Sequence, residues 1–194
     1  MTLTIAKIGL AALACCLSAF AQREAPKSWF DVFEAKGGKT WNRVGRRIPK
    51  PPHPTELEFC RAEKYTARTS EERAVAALGW ALLGAADMHN EISVVGAVAS
   101  RDGMCRPNEF QYFVFANAKF VGTLSPGVMF ARDDGAISGI AIPGDGRIVV
   151  EYLRYSQNDP LCCPSRITTA DFAVRSEKGK PVLAITAMRT GPTR

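Results

Sequence analysis

Histidine is scarce in this chain of 194 residues, which contains only His53 and His89. Nucleophilic sites of the Ser-His-Asp or Cys-His kind need a histidine base. His53 lies in a proline-rich stretch and His89 at the predicted end of a helix, where the helix dipole favours a cationic side chain. The sequence also lacks the G-x-S-x-G, His-Glu-x-x-His and phosphate-loop patterns. We therefore predict no catalytic residue and do not favour an enzyme.

Cysteine is nearly as scarce, with six residues, and none of them forms a Cys-x-x-Cys pair. Zinc frameworks present cysteines or histidines in pairs at short fixed spacing, and thioredoxin-like redox sites need two intervening residues. Both kinds of site are disfavoured. The sequence predicts no metal and no other cofactor.

The chain has no apolar run as long as the roughly 20 residues that a membrane-spanning helix needs. A shorter run follows Lys7, and small residues stand at Ala19 and Ala21, which is the order of a secretory signal peptide. We predict a signal peptide over residues 1–21, and export to the periplasm, cell surface or medium without a transmembrane span. Acylation of Cys15 or Cys16 would make a lipoprotein, but neither has the usual preceding residues, so a lipid anchor is not favoured.

Acidic residues are absent between Lys36 and Lys50, a stretch with six basic ones. Together with the prolines at 49–54, they predict an extended, basic, Pro-rich N-terminal segment over residues 22–68 that wraps the surface, with Trp29, Phe30 and Phe33 docking on the core. A basic segment can contact anionic polymers or act as a solvated linker. Export makes nucleic acid a poor candidate partner.

Residues 69–190 are predicted to form a single α+β domain. Thr69 and Glu72 have the spacing of a capping box, and an apolar face with helical spacing follows over Arg73–Ala86. From Glu91 onward, short alternating runs are separated by turn residues, which favours antiparallel neighbours. We predict one N-terminal helix packed on a meandering antiparallel sheet of about seven strands.

Four cysteines remain after the predicted signal peptide: Cys60, Cys105, Cys162 and Cys163. In an exported protein they are expected to form disulfides that staple the fold, and three pairings exist. Adjacent residues of an extended chain project to opposite sides. We therefore expect Cys162 and Cys163 to bond to Cys60 and Cys105, in an order that the sequence does not fix.

The residues beside the cysteine pair are the candidate ligand contacts: Tyr152, Arg154, Asp159 and Arg166. Arg154 shares a strand with tyrosines, so it could recognise an anionic group with aromatic support. The alternative is a structural ion pair between Arg154 and Asp159 or Glu151. Asn158-Asp-Pro160 is typical of a turn.

Three motifs together resemble the LppP/LprE group of bacterial lipoproteins. They are Tyr112–Thr123, the Tyr-x-x-Tyr strand at 152–155, and Asn158-Asp-Pro-Leu-Cys-Cys-Pro-Ser-Arg166. The resemblance spans roughly residues 70 to 175. It implies an exported envelope protein with a disulfide core and implies no catalytic residues. The chain departs from the group in lacking a good acylation site.

These observations favour a non-enzymatic exported protein, a binding or structural module that engages an envelope protein or a cell-wall polymer. One alternative is an envelope hydrolase with an unrecognised site near His89. A buried His89 beside an acid and a hydroxyl would favour the hydrolase, and a solvated His89 would favour binding. The other alternative is a cystatin-like inhibitor domain, by analogy of fold alone.

Overall fold

A computed structural model describes residues 28–35, 40–55, 60, 65–160 and 162–193. The predicted signal peptide, its cleavage point, Cys15 and Cys16 lie outside the described residues. So do Lys36 and Lys39 of the basic stretch.

The structure consists mainly of strands, which make up 49% of it, against 9% for helices. The helices are α1 (Trp29–Ala35) and α2 (Ser70–Ala76). The strands are β1 (Ala81–Leu82), β2 (Asp87–His89), β3 (Ile92–Arg101), β4 (Pro107–Ala116), β5 (Lys119–Thr123), β6 (Met129–Phe130), β7 (Ala136–Gly144), β8 (Arg147–Arg154), β9 (Arg166–Glu177) and β10 (Lys180–Pro192).

The strands form two antiparallel sheets. The first has the order β1-β3-β4-β5, with β2 also pairing β3 and β6 also pairing β4, and the second has the order β10-β9-β8-β7. The main core lies between the sheets, where Val94 and Phe110 of the first sheet cluster with Ile148 and Phe172 of the second. The sheets therefore pack face to face.

The burial of β3 and β8 shows how the two sheets differ. In β8, buried and more exposed residues alternate, so that Ile148, Val150 and Tyr152 point into the main core. In β3, Ile92–Ala99 are buried without a break. The reason is a second core on the other face of the first sheet, which includes Val75 of α2. The first sheet is thus covered on both faces.

The predicted α+β class is wrong: the described residues form two antiparallel sheets and include no N-terminal helix packed on a single sheet. The capping box is present, with Thr69 and Glu72 exchanging hydrogen bonds. However, α2 ends at Ala76 and the chain turns at Gly79, whose φ of +99° suits glycine. The apolar pattern predicted one helix because the residues of α2 and β1 are buried in the same second core.

Residues 28–35 and 40–55, here called the strap, are tied to the sheets by buried polar contacts. Asp134 accepts hydrogen bonds from Ser28 Oγ at 2.9 Å and from the backbone N–H of Trp29 at 3.1 Å. Further on, the side-chain amide of Asn42 exchanges hydrogen bonds with the backbone of Thr123. Phe30 is fully buried in the main core. The predicted docking of this residue on the core is confirmed.

Candidate functional site

A cavity of about 440 Å³ opens at one end of the two packed sheets. It is called the inter-sheet cavity below. Its lining comes from β4, β7 and β8 and from the loops that follow β1, β3, β6 and β8. The residues are Leu83, Asp102, Arg106, Pro107, Asn108, Phe110, Tyr112, Ala131, Arg132, Ala136, Ile137, Leu153, Tyr155, Cys162 and Pro164.

The side chains of Leu83, Phe110, Tyr112 and Ile137 make much of this lining apolar, and all four belong to or pack against the main core. Burial, together with the nearby charge of Asp87, raises the pKa of Tyr112 to about 12. The phenol therefore stays neutral at physiological pH. The apolar part of the cavity lining is thus continuous with the main core.

Charged side chains stand beside this apolar lining. Arg106 pairs with Asp102 at 2.6 Å between Nη2 and Oδ2. The side-chain hydrogen bond from Arg106 is the largest cause that lowers the pKa of Asp102. The guanidinium of Arg132 lies over the ring of Tyr155, 4.6 Å from its centroid. The cavity thus joins an apolar lining to two arginines.

The structure pairs Cys60 with Cys105 and Cys162 with Cys163, so the expected bonds between the neighbours and the distant cysteines are wrong. The expectation assumed an extended chain at this point. Instead the chain turns, and the N–H of Cys163 donates to the carbonyl of Pro160 at 3.1 Å. Cys162 consequently lies in the cavity wall with its neighbour as partner.

A second, polar depression of about 360 Å³ shares Arg132 and Tyr155 with the cavity. It is called the arginine cleft below. Its lining combines arginines and aspartates from the strap, the β6–β7 turn, the adjoining ends of β8 and β9, and the connection between those two strands. The residues are Ser28, Asp31, Arg132, Asp133, Arg154, Tyr155, Ser156, Gln157, Asp159 and Arg166.

Two of the predicted ligand contacts are deeply buried. Arg154 is 3% exposed and bonds to both carboxylate oxygens of Asp31, at 3.1 and 3.2 Å, with its guanidinium over the ring of Phe30. The ion pair that the sequence suggested for Arg154, with Asp159 or Glu151, is therefore made with Asp31. Tyr152 is fully buried and donates to the carbonyl of Leu124, outside the arginine cleft.

The other two predicted contacts line the arginine cleft. Asp159 accepts from the N–H groups of Ser156 and Ser165 at 2.6 and 2.8 Å, and its pKa is lowered, with the Ser156 bond the largest cause. Arg166 donates from Nη2 to the carbonyl of Tyr155 at 2.9 Å. The Nε atoms of Arg166 and Arg154 are buried, and neither has a hydrogen-bond partner among the described residues.

The two histidines lie apart from both depressions. His89 belongs to β2 rather than to a helix end, and it is exposed. His53 Nε2 lies 2.6 Å from Glu109 Oε2, and the same oxygen accepts from Ser100 Oγ at 2.6 Å. The serine hydroxyl thus donates to the carboxylate and not to the imidazole, unlike a Ser-His-Asp triad. The contact between His53 and Glu109 joins the strap to β4.

Sequence reasoning missed Arg106 and Arg132, which flank the cavity. Neither belongs to a recognisable motif: Arg106 follows a turn, and Arg132 lies within one. Their placement depends on how the two sheets meet, and no local sequence signal records that arrangement.

Membrane spans and metal sites are two further possibilities for the described part of the chain. None of its helices combines the length and apolar character that crossing a bilayer requires. Within the same residues, no group of three or more histidine, cysteine or acidic side chains is arranged to hold a metal ion.

Comparison with known protein families gives a match for part of this chain. The LppP/LprE lipoprotein family model matches residues 85–177, a region that includes β2–β9, most of the cavity lining and the Cys162–Cys163 disulfide. Neither the curated proteins nor the solved structures contain a match. The resemblance predicted from the sequence motifs is therefore confirmed: over residues 85–177 this chain is similar to the LppP/LprE lipoproteins, which indicates an envelope-associated protein.

Proposed function

We propose that this chain is a non-enzymatic binding protein of the bacterial envelope that holds a small, predominantly apolar molecule in the inter-sheet cavity. The observation that carries this proposal is the cavity itself, about 440 Å³ in volume, with an apolar lining continuous with the main core. Small-molecule sites are typically concave and mostly apolar, with a few polar groups that fix orientation.

The chemistry of the lining favours binding over catalysis. Among the described lining residues there is no histidine, serine or threonine, and Cys162 is held in a disulfide. Tyr112 has a raised pKa and remains protonated. A nucleophile activated by an adjacent base is therefore not available in this lining. The exposure of His89 also agrees with the binding alternative.

Covalent and ionic links hold the polar edge of the cavity in place. Cys105 and the Asp102–Arg106 ion pair belong to the same loop, and the disulfide ties this loop to Cys60. Because this polar edge is fixed before a ligand binds, less conformational entropy is lost on association. The proposal keeps three predictions made from the sequence. The protein is exported, its four mature cysteines form disulfides, and it engages a protein or a cell-wall polymer.

Filling the cavity tests the proposal. Ala136→Phe places a ring at an exposed position of the cavity wall, and Ala187→Phe makes the same change at an exposed position of β10 that does not line the cavity. Binding of the apolar dye N-phenyl-1-naphthylamine is followed by fluorescence, with the oxidised chain beginning at Gln22. We expect Ala136→Phe to weaken dye binding about tenfold or more and Ala187→Phe to leave it unchanged.

Thermal unfolding of both variants verifies that they fold. Equal dye affinity in the wild type and in Ala136→Phe, or no dye binding by the wild type, would contradict the proposed function.

A further inference from the structure

We propose that the ligand is an amphipathic anion, whose apolar chain fills the inter-sheet cavity and whose carboxylate or phosphate group is bound in the arginine cleft. This inference rests on the proposed function, since it assigns the chemical class of the molecule that the cavity holds.

The two depressions are neighbours on one surface. Arg132 and Tyr155 line both of them, and the Arg132 guanidinium lies 4.6 Å from the centroid of the Tyr155 ring. A ligand with its chain against Ile137 and Leu153 in the cavity therefore has a cationic group at the boundary and the cleft beyond it. The surface changes from apolar to cationic along this path. It therefore matches a molecule with an apolar chain and an anionic head group.

The cleft contains buried donors that lack acceptors. Arg154 is 3% exposed, and its Nε carries an N–H with no acceptor among the described residues. The Nε of Arg166 is also buried and has no acceptor among the described residues, and both side chains line the cleft. A buried donor without a partner is unfavourable, and more so when it belongs to a charged group. An anionic oxygen in the cleft would supply the missing acceptor.

The acids of the cleft do not occupy these donors. Asp31 is engaged by Nη2 of Arg154, and Asp159 is engaged by two backbone N–H groups. Asp133 also lines the cleft, so three arginines face three aspartates and the formal charges balance. Recognition would therefore depend on directed guanidinium donors rather than on net charge, and arginine suits planar or tetrahedral oxyanions for this reason.

The test uses three amphiphiles with the same chain, dodecanoate, dodecyl phosphate and dodecanol, as competitors of the bound dye. Each is used below its aggregation concentration with the oxidised chain beginning at Gln22. We expect at least one of the two anions to displace the dye at a concentration about tenfold or more below that of dodecanol. A preference for dodecanoate or for dodecyl phosphate identifies the head group.

Arginine variants locate the head group. Arg132→Gln changes an exposed side chain, so it is expected to fold, and Arg166→Gln removes a guanidinium with an unpartnered donor. Both should abolish most of the preference for the anion while leaving dodecanol unchanged. Arg189→Gln, at a side chain that is 71% exposed and outside the cleft lining, is the matched control and should have no effect.

The outcomes separate this inference from the proposed function. Equal displacement by dodecanol and both anions overturns the inference and leaves the binding cavity intact. An equal loss of preference in Arg189→Gln and Arg132→Gln also overturns it, because the effect would then be general electrostatics. Absence of dye binding by the wild type overturns the proposed function and this inference with it.

Discussion

Glu72 shows at the residue scale how one side chain can join separate parts of the chain. Its Oε2 accepts from the N–H groups of Arg68 and Thr69, at 2.6 and 3.0 Å, and its Oε1 accepts from the N–H of Ala86 at 2.8 Å. Burial raises the pKa of this carboxyl, but these three backbone hydrogen bonds outweigh it and the pKa is lowered. The ionised carboxylate therefore fastens the start of α2 to the segment before β2.

Replacing Glu72 with glutamine should destabilise the fold although the shape is preserved. Both carboxylate oxygens act as acceptors, and an amide would place an NH₂ group against a backbone donor. We expect Glu72→Gln to lower the free energy of unfolding by about 1–3 kcal/mol. Guanidinium denaturation measures the change, with the exposed Glu177→Gln as the control. Equal stabilities of the two variants would show that the Glu72 contacts contribute little.

The residue contacts that could be predicted from the sequence are the local ones. The capping box joins positions three residues apart, so its pattern is visible in any short window. The ion pair of Arg154 with Asp31 joins positions 123 residues apart, and the bond from Ser28 to Asp134 spans 106. Sequence reasoning chose Asp159 or Glu151 for Arg154 because it could weigh only nearby acids. Contacts made by the strap depend on the completed fold.

At the scale of elements, strand positions were more predictable than helix length. Alternation in β8 and the turn at Pro143–Gly146 both give local signals. The helix predicted over Arg73–Ala86 failed because α2 and β1 both bury apolar residues in the second core. A short apolar run has the same composition in either conformation, so periodicity alone does not distinguish the two. The predicted helix ran through Gly79, where the chain turns instead.

The two disulfides should contribute unequally to stability. Cys60 and Cys105 are 45 residues apart, whereas Cys162 and Cys163 are adjacent and close no long loop. We expect the double variant Cys60→Ser/Cys105→Ser to lose about 2–4 kcal/mol of unfolding free energy, and Cys162→Ser/Cys163→Ser to lose less than about 1 kcal/mol. Chemical denaturation of both double variants compares them, and mass spectrometry of peptides checks the pairing. The reverse order of stability would contradict this pairing.

At the scale of the whole molecule, the division into two sheets was not predictable. Every connection between strands is compatible with a single meander, and the chain changes sheets at the turn between β6 and β7. Gly135 in this turn has a φ of +81°, and a Cβ there would lie 1.8 Å from the carbonyl oxygen of Leu153. The sequence indicates a turn at Asp133-Asp-Gly135, but the close approach to β8 appears only in the folded chain.

The stability of the whole molecule should fall in acid. The pKa values of five carboxyls are lowered in the folded state, while burial raises that of Asp87. The five groups are Glu71, Glu72, Asp102, Glu109 and Asp159. A lowered folded pKa gives stability that is present above the unfolded value and is lost as the pH falls through the folded value. Asp87 acts in the opposite direction but is a single group.

The expected window begins near pH 4.5, the ordinary value for glutamate, and extends below it. Urea unfolding at pH 7, 4.5 and 3 measures the effect, and Glu72→Gln should show a shallower loss than the wild type because one of the contributing groups is absent. A free energy of unfolding that stays level from pH 7 to 3 would contradict the prediction.

The central claim is that a ligand enters between the two sheets. Methyl-resolved NMR of the oxidised chain, titrated with dodecanoate, tests it most directly. The account predicts that the methyl resonances of Leu83 and Ile137, which line the cavity, shift with increasing ligand, while those of Val44 in the strap and Val149 of β8, outside the cavity lining, do not. Shifts confined to the strap or to the outer face of the second sheet, or no saturable shift at all, would contradict it.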